Sequence, residues 1–536
     1  MSASQISSQV AGNGATLIVF AVFVVCVILI ALWGAADSDS PRRFFVSGRE
    51  LPAARNGIAL FGDFISAATL LGTPGLIALA GFDGIPYLVG PVVVWAVILL
   101  LVAEPFHNAG GYTVGAVLAR RLRPRPVQLA MGLATLVISL FYLTAQLVGA
   151  GALAAPLLGI SGEAAQNCLM VFLGILMIIY VALSGMHGAT LVQLLKAAVL
   201  LVASVFLAVL VLAKFGWNPS DLLGTAARRS GVGESFLAPG ARSQGTGWET
   251  LDRLSLQLGA LLGAAGLPHL LMRMCVVPSA SAARRSVQWT AVLTCVFCVT
   301  AGVLGFGAAA VLGPEAILAG SPSGNTATLL LAHSLGGSWM LTVMACVAFV
   351  TILAVVAGIA LAAATSVAHD IYGAVLKRGR ATEGRELMVA RCAVVLIGCA
   401  AVGLSLLAER LNVSFAAGLA FCVAASAILP ALLYGLYWRG FTTTGALWSI
   451  YGGLVSSVVM AVLSPAVSGG PTALFPDMDF SLFPMQYPTI VSAPLGFLLG
   501  WLGSVMGRER PDPARHAALE LRMLAGADDT SVQSSG

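Results

Sequence analysis

An acidic residue lies inside the apolar segment 56–84, which reads NGIALFGDFISAATLLGTPGLIALAGFDG. Asp63 stands near the start of this segment and is followed by the small, partly hydroxylated run from Ser66 to Thr69. A carboxylate in hydrocarbon costs roughly 2.5–3.5 kcal/mol on insertion scales, so such residues usually face a cavity or an ion. Small residues beside it let the backbone open and offer carbonyls and amides to a ligand. The pattern predicts a cation or proton site; the alternative is an Asp at a helix end that reaches the headgroups.

A second segment, 253–275, also has the composition of an interrupted helix. Gly259, Gly263 and Gly266 precede Pro268 there, a combination typical of close helix packing or of a break. Two interrupted helices five spans apart are what a transporter built from inverted repeats needs at its midplane site.

Other polar residues at membrane depth are candidates for the same cavity. Tyr142, Thr144 and Gln146 lie in LFYLTAQLVGAG, and Gln257 lies in 253–275. Each is expected to pair with another helix or to contact a substrate. His269 is expected to act as a structural partner or as a proton-sensitive group.

The remaining ionisable residues in apolar segments are expected near the membrane surfaces. Glu104 ends its span, Arg253 opens one, and the Lys196 stem is long enough to carry its ammonium to the interface. Arg273 lies one helical turn from His269 and is expected to follow the bias of basic residues towards the inner side.

The composition indicates a polytopic membrane protein. Of 536 residues, 58% are hydrophobic and only 10% are charged, against about 25% charged residues in soluble domains. About thirteen windows have the length of a membrane span: 15–35, 57–80, 85–105, 127–155, 166–184, 189–212, 253–275, 287–313, 338–368, 389–409, 413–437, 442–465 and 487–506. The net charge of +5 does not indicate a nucleic-acid partner, because the basic residues lie in short loops between these windows.

The basic loops predict an orientation. Nineteen Lys and Arg residues fall in loops on one side and five on the other, which places the N-terminus outside and the C-terminus in the cytoplasm of a plasma-membrane protein. The predicted organisation is 1–55 with the first helix and its inner loop, 56–212 and 253–437 as two repeats, 213–252 as an extracellular loop, 438–506 as two further helices, and 507–536 as a cytoplasmic tail.

Several motifs resemble the sodium:solute symporter family, and most closely its cation/acetate branch. They are NGIALFGDFISAATLLG, GFDGIPYLVG, YLTAQLVGAG, AGLPHLLMR, AFVTILAVVAGIALAAATSVAHDIY and LAFCVAASAILPALLYGLYWRG. The resemblance implies an all-α integral membrane fold with an inverted five-helix-repeat (LeuT-like) core.

The same resemblance implies a sodium site between the first and eighth core helices. Carbonyls of Gly62 and Ile65 would belong to it, together with Thr351, Ala354 and Val355. Sodium-dependent relatives tend to have hydroxyl residues where this chain has Ala354 and Val355, and neither of these side chains offers an oxygen to a hard cation. Asp63 is expected either to complete the sodium shell or to carry a proton itself.

The expected activity is import of acetate or a similar short-chain monocarboxylate with Na⁺ or H⁺, with no cofactor besides the transported ion. Helix ends at Ser66 and Thr69 would attract an anion. The family resemblance places Gly263 at the position where sugar-carrying relatives have an aromatic ring, and this disfavours a sugar as the substrate. The expected substrate contacts are Ser66, Thr69, Tyr142, Gln146, Gln257, Gly263 and His269. The alternatives are a symporter for another small solute, such as a proline-like amino acid, and a passive channel; no residue pattern indicates an enzyme.

Overall fold

The computed structural model describes residues 14–35, 50–111, 113–158, 163–240, 247–320, 324–408, 413–469, 473–475 and 477–526. The described ranges leave out the predicted outer N-terminus, most of the first inner loop, part of the long loop after 213 and the last ten residues. The helices are α1 (Gly14–Ala35), α2 (Ala53–Phe64), α3 (Thr73–Ala80), α4 (Pro86–Leu101), α5 (Ala103–Ala109), α6 (Val114–Ala119), α7 (Pro124–Leu158), α8 (Glu163–Lys214), α9 (Pro219–Arg229), α10 (Gly247–Gly266), α11 (Pro268–Met272), α12 (Ala280–Val311), α13 (Pro314–Gly320), α14 (Ala327–Thr365), α15 (Glu383–Leu407), α16 (Val413–Val423), α17 (Leu429–Tyr437), α18 (Thr443–Val462), α19 (Thr489–Met506) and α20 (Pro513–Ala525).

The membrane-spanning layout agrees with the sequence windows. Within the described residues, nine helices are long and apolar enough to cross a membrane, and eleven if each of two bent pairs counts as one span. Two shorter apolar helices, Ile18–Ile30 and Met170–Leu183, coincide with the two remaining windows. Each apolar window identified in the sequence therefore corresponds to an apolar helix or to a bent helix pair.

Both predicted interruptions are present. Helix α2 ends at Phe64, and the next residue, Ile65, has an extended backbone (φ −71°, ψ 112°). The chain becomes helical again in a π-helical turn, Ala68–Gly72, which leads into α3. The two halves are bent by 67°. Helix α10 ends in the same way at Leu267 (φ −70°, ψ 120°), immediately before Pro268. In each span one extended residue thus interrupts the helix, although Ile65 N–H still donates to the Phe61 carbonyl and the Leu267 carbonyl still accepts from Leu271 N–H.

Helix α14 forms the centre of the bundle. Every residue from Met344 to Thr365 is buried, which fits a helix that is apolar on all sides. It packs against α1, α7, α8 and α15. Glycines bring neighbouring backbones close to this centre: a Cβ added to Gly62 would overlap the Gln193 carbonyl oxygen of α8. Helix α2, with its interruption, is therefore held directly against α8.

Candidate functional site

The Asp63 carboxylate is enclosed in the protein and paired with a basic side chain. Asp63 lies in the last turn of α2 and is 1% exposed. Its Oδ2 is 3.4 Å from Nε of Arg273, which is itself fully buried in the turn after α11. The alternative in which Asp63 reaches the headgroups is excluded by this burial. The expectation that Arg273 only follows the basic bias of the inner loops is wrong, because its guanidinium lies in the core between the two interrupted helices.

Arg273 connects this pair to α8 and α14. Its Nη1 lies 3.3 Å from Thr190 Oγ1, and its Nη2 donates to Gln193 Oε1. Gln193 in turn donates through Nε2 to the Ala354 carbonyl, 3.4 Å away. Helices α8 and α14 and both interrupted spans are thus joined by one polar network.

Lys196 lies at the interruption of α2. It is fully buried, and its Nζ donates to the Gly62 carbonyl at 2.5 Å and also to the Ile65 carbonyl. The expectation that its ammonium reaches the membrane surface is therefore wrong. The interruption explains these acceptors: Thr69 N–H donates to Ser66 O, not to Ile65 O as a continuous helix would require.

The structure brings part of the expected cation set together around α2 and α14. The carbonyls of Gly62 and Ile65 face Lys196, and the Ala354 carbonyl faces Gln193. Val355 is buried and apolar. Thr351 is also buried, and its hydroxyl has no hydrogen-bond partner among the described residues.

Four of the expected substrate residues lie around the same interruption. Ser66 Oγ is 3.5 Å from Thr69 Oγ1 and also interacts with the Tyr142 side chain. The Tyr142 ring lies 5.8 Å from the His269 ring, centroid to centroid. Residues from both interrupted spans and from α7 thus meet at one place.

Gln146 lies one turn beyond Tyr142 on α7 and is fully buried. Neither its amide nitrogen nor its amide oxygen has a hydrogen-bond partner among the described residues, and the same holds for the Thr144 hydroxyl. An unsatisfied buried polar group costs about 1–3 kcal/mol, so such groups are expected to have a partner such as a water molecule, an ion or a ligand. Val148 on the same helix forms a small apolar cluster with Ala408, and Ala68 packs against this cluster, which places this part of α7 near the interruption of α2.

The two remaining expected substrate residues have other surroundings. A Cβ added to Gly263 would overlap the Phe421 carbonyl oxygen, so close packing of α10 on α16 requires this glycine. Gln257 is half-buried, and its Oε1 lies beside Gly90 of α4. Neither contact joins these residues to Asp63 or Lys196.

Sequence reasoning missed the roles of Lys196 and Arg273 in the polar network and did not single out Thr190 or Gln193. It also missed Gly358, which lies beside the network. Gly358 of α14 faces the Asp63 carboxylate so closely that an added Cβ would overlap Oδ1 and lie 2.8 Å from Cγ. The available signal was the spacing of Gln193 and Lys196, which are three residues apart and therefore share one face of α8. Arg253 and Glu104 do make surface-side contacts, with Asp83 at 3.4 Å and with Arg284 at 3.4 Å.

The buried charge cluster, defined here as Asp63, Lys196 and Arg273, has one formal negative and two formal positive charges. Burial of unbalanced charge is unfavourable, and a bound anion would relieve it. Interrupted helices around a buried charged centre are the site architecture of a secondary transporter.

Comparison with known proteins places this transporter in a family. Residues 44–453 match the model of the sodium:solute symporter family, and the chain belongs to that family. It is a multi-pass solute symporter and not an enzyme.

Individual relatives match over nearly the whole chain. A monocarboxylic acid transporter of Corynebacterium glutamicum is 42% identical over 518 residues, which cover 95% of this chain and 94% of the relative. The uncharacterized symporter YwcA of Bacillus subtilis is 39% identical over 518 residues, covering 96% of this chain and 99% of the relative.

A solved structure supports the fold. A Na⁺-coupled sialic acid symporter in a substrate-bound outward-open state aligns with a TM-score of 0.71, over 93% of this chain and 99% of that chain. At 14% sequence identity, this likeness establishes the LeuT-like fold alone.

Proposed function

We propose that the chain imports acetate or a similar short-chain monocarboxylate across the cell membrane together with a cation, Na⁺ or H⁺. The observation that carries the proposal is the charge of the buried cluster, in which Lys196 and Arg273 exceed Asp63 by one positive charge. A monocarboxylate is the smallest organic solute that balances this excess. The name of the Corynebacterium glutamicum relative gives independent support.

The surroundings of the cluster support a small substrate. Tyr142 contacts both Ser66 and His269, and each of the three residues is at most 4% exposed. Gln146 of α7 and Thr351 of α14 have buried polar groups without a hydrogen-bond partner among the residues that the structure describes. One carboxylate with a short apolar tail matches this set of donors and small residues. Selectivity among acetate, propionate and pyruvate is expected to be modest, since one methylene changes the binding free energy by about 1–3 kcal/mol.

The test is uptake of labelled acetate into proteoliposomes, with sodium and proton gradients imposed separately. Accumulation above equilibrium under either gradient is the expected result. Competition by excess propionate or pyruvate, and none by proline, would support the monocarboxylate class. Inhibition by proline alone would contradict the substrate class, and flux that never exceeds equilibrium would contradict active symport.

The stoichiometry is measurable in the same vesicles. One monovalent cation that moves with one monocarboxylate carries no net charge, so a membrane potential, worth roughly 2.3 kcal/mol per charge per 100 mV, would not drive uptake. Electrogenic uptake would imply at least two cations per anion.

A further inference from the structure

The Lys196 ammonium lies at the position that the family resemblance assigns to a sodium ion. Its Nζ donates to the Gly62 and Ile65 carbonyls, the same two backbone groups expected as sodium ligands. Both carbonyls belong to the end of α2, where the interruption removes the donors of the next helical turn. Lys196 itself extends from the buried face of α8 and is fully enclosed.

The residues that remain do not make a sodium site. A hard cation needs several oxygen ligands. Ala354 and Val355 have no side-chain oxygen, and the Ala354 carbonyl already accepts from Gln193. Thr351 could supply one hydroxyl.

Asp63 does not make up for the missing ligands. Its Oδ2 is paired with Arg273 at 3.4 Å. Its Oδ1 lies against Gly358 and has no hydrogen-bond partner in the part of the chain that the structure describes. The Lys196 ammonium already occupies the Gly62 and Ile65 carbonyls. The remaining ligands, one carboxylate oxygen and one hydroxyl, are too few for a sodium ion.

The charge of the buried cluster also disfavours a sodium ion, independently of the number of ligands. Two unit positive charges about 4 Å apart repel each other. At an effective dielectric constant of about 20, this repulsion energy corresponds to a roughly thousand-fold loss of binding affinity. Lys196 and Arg273 have two formal positive charges against the single formal negative charge of Asp63. A sodium ion would add a third.

We propose that Lys196 is a tethered cation that replaces sodium at the C-terminal end of α2, beside the interruption, and that transport by this chain does not require sodium. The inference rests on the proposed function for its transport readout. It concerns the ion alone and leaves the substrate class unchanged. It also gives Lys196 a positioning role, since its ammonium holds the C-terminal carbonyls of α2 against α8.

The first experiment measures sodium binding without transport. Thermal unfolding of the purified full-length protein is compared in sodium chloride and in choline chloride at equal ionic strength. A ligand that binds only the folded state raises its melting temperature, so the wild type is expected to show the same midpoint in both salts. Lys196→Ala frees the carbonyl pair and is expected to gain a sodium-specific increase. A sodium-specific increase in the wild type would overturn the proposal, even if the variant does not fold.

The second experiment measures labelled-acetate uptake under a proton gradient in sodium and in choline media. Equal initial rates are expected. Uptake that occurs only with sodium would overturn the tethered-cation proposal and leave the monocarboxylate function intact. Absence of acetate uptake under every gradient would overturn the function, while equal melting temperatures in the two salts would still support Lys196 as the resident cation.

Discussion

Asp63 and Arg273 form a fully enclosed ion pair between the two interrupted spans, with 3.4 Å between Oδ2 and Nε. The pair joins the last turn of α2 to the turn that follows α11. A second contact supports it, since the Asn56 side chain donates to the Arg273 carbonyl at 3.1 Å. Any movement of one interrupted span relative to the other must therefore change the surroundings of Asp63.

Asp63→Asn is expected to abolish acetate uptake while the protein still inserts in the membrane. The substitution leaves Arg273 and Lys196 without a negative partner, and breaking a buried pair in this way costs about 3–5 kcal/mol. The measurements are uptake per milligram of reconstituted protein and the thermal unfolding midpoint in detergent.

The matched control is the double variant Asp63→Asn with Arg273→Gln, which removes both members of the pair. It is expected to recover much of the lost stability and none of the transport. Normal uptake by Asp63→Asn alone would refute the role assigned to this carboxylate.

Gly358→Ala is expected to impair transport by displacing Asp63. The added Cβ would overlap Oδ1 of a carboxylate that Arg273 holds in place, and overpacking of this kind costs about 1–3 kcal/mol. Gly403→Ala on α15 is the control, because nothing lies within 4 Å of a Cβ added there. Uptake rates of the two variants are compared at equal reconstitution. Equal rates would show that the Asp63 carboxylate tolerates movement.

The interruptions were predictable from sequence because they depend on local chemistry. Ser66 to Thr69 and the glycines before Pro268 mark positions where a helix is weak, and the structure has extended residues beside both. The prediction that Asp63 lies inside the protein and not among the headgroups required only the cost of placing a carboxylate in hydrocarbon. These inferences required no knowledge of which helices are neighbours.

The partners of Asp63 could not be found in the same way. The apolar window that begins at 189 places Lys196 close to the membrane surface. In the structure the membrane-spanning part of α8 begins earlier, at a break at Gly185, whose φ of 56° is left-handed. Ten residues at about 1.5 Å each place Lys196 near the middle of a bilayer about 30 Å thick. Its pairing with the Gly62 and Ile65 carbonyls depends on tertiary packing between segments more than 130 residues apart in sequence.

Asp370 is expected to stabilise one end of the bundle. It lies in the π-helical extension of α14, Ser366–Leu376, and is fully buried. Its carboxylate accepts from Thr113 at 2.7 Å, Ser366 at 2.7 Å and Gln128 at 3.4 Å. These bonds connect α6, α7 and α14.

Asp370→Ala is expected to lower the free energy of unfolding by at least about 2 kcal/mol, since it leaves buried donors without an acceptor. Asp477→Ala, at an exposed position, serves as the control. Chemical denaturation of the solubilised protein measures both. A loss no greater than that of the control would show that the three donors find other acceptors.

The C-terminal helix α20 is held against the bundle by contacts that include a histidine. Asn108 of α5 donates to the Met523 carbonyl at 2.8 Å. His516 lies on the buried face of α20, and its Nε2 lies 3.7 Å from Glu520 Oε2. Burial, with the nearby positive charges of Arg121 and Arg439, lowers the pKa of His516 below its usual value, although Glu520 acts in the opposite direction.

Docking of α20 is therefore expected to weaken as the pH falls. Because the pKa of His516 is lower in the docked state, the undocked state binds more protons, and the stabilisation is complete only above the ordinary histidine pKa of about 6.5. Hydrogen exchange of the α20 amides, measured at a series of pH values and corrected for the intrinsic rate, is expected to show loss of protection on acidification. His516→Phe keeps an aromatic ring but does not titrate, so its protection is expected to be independent of pH in this range. The same acid-induced loss in His516→Phe would assign the effect to Glu520 or another group.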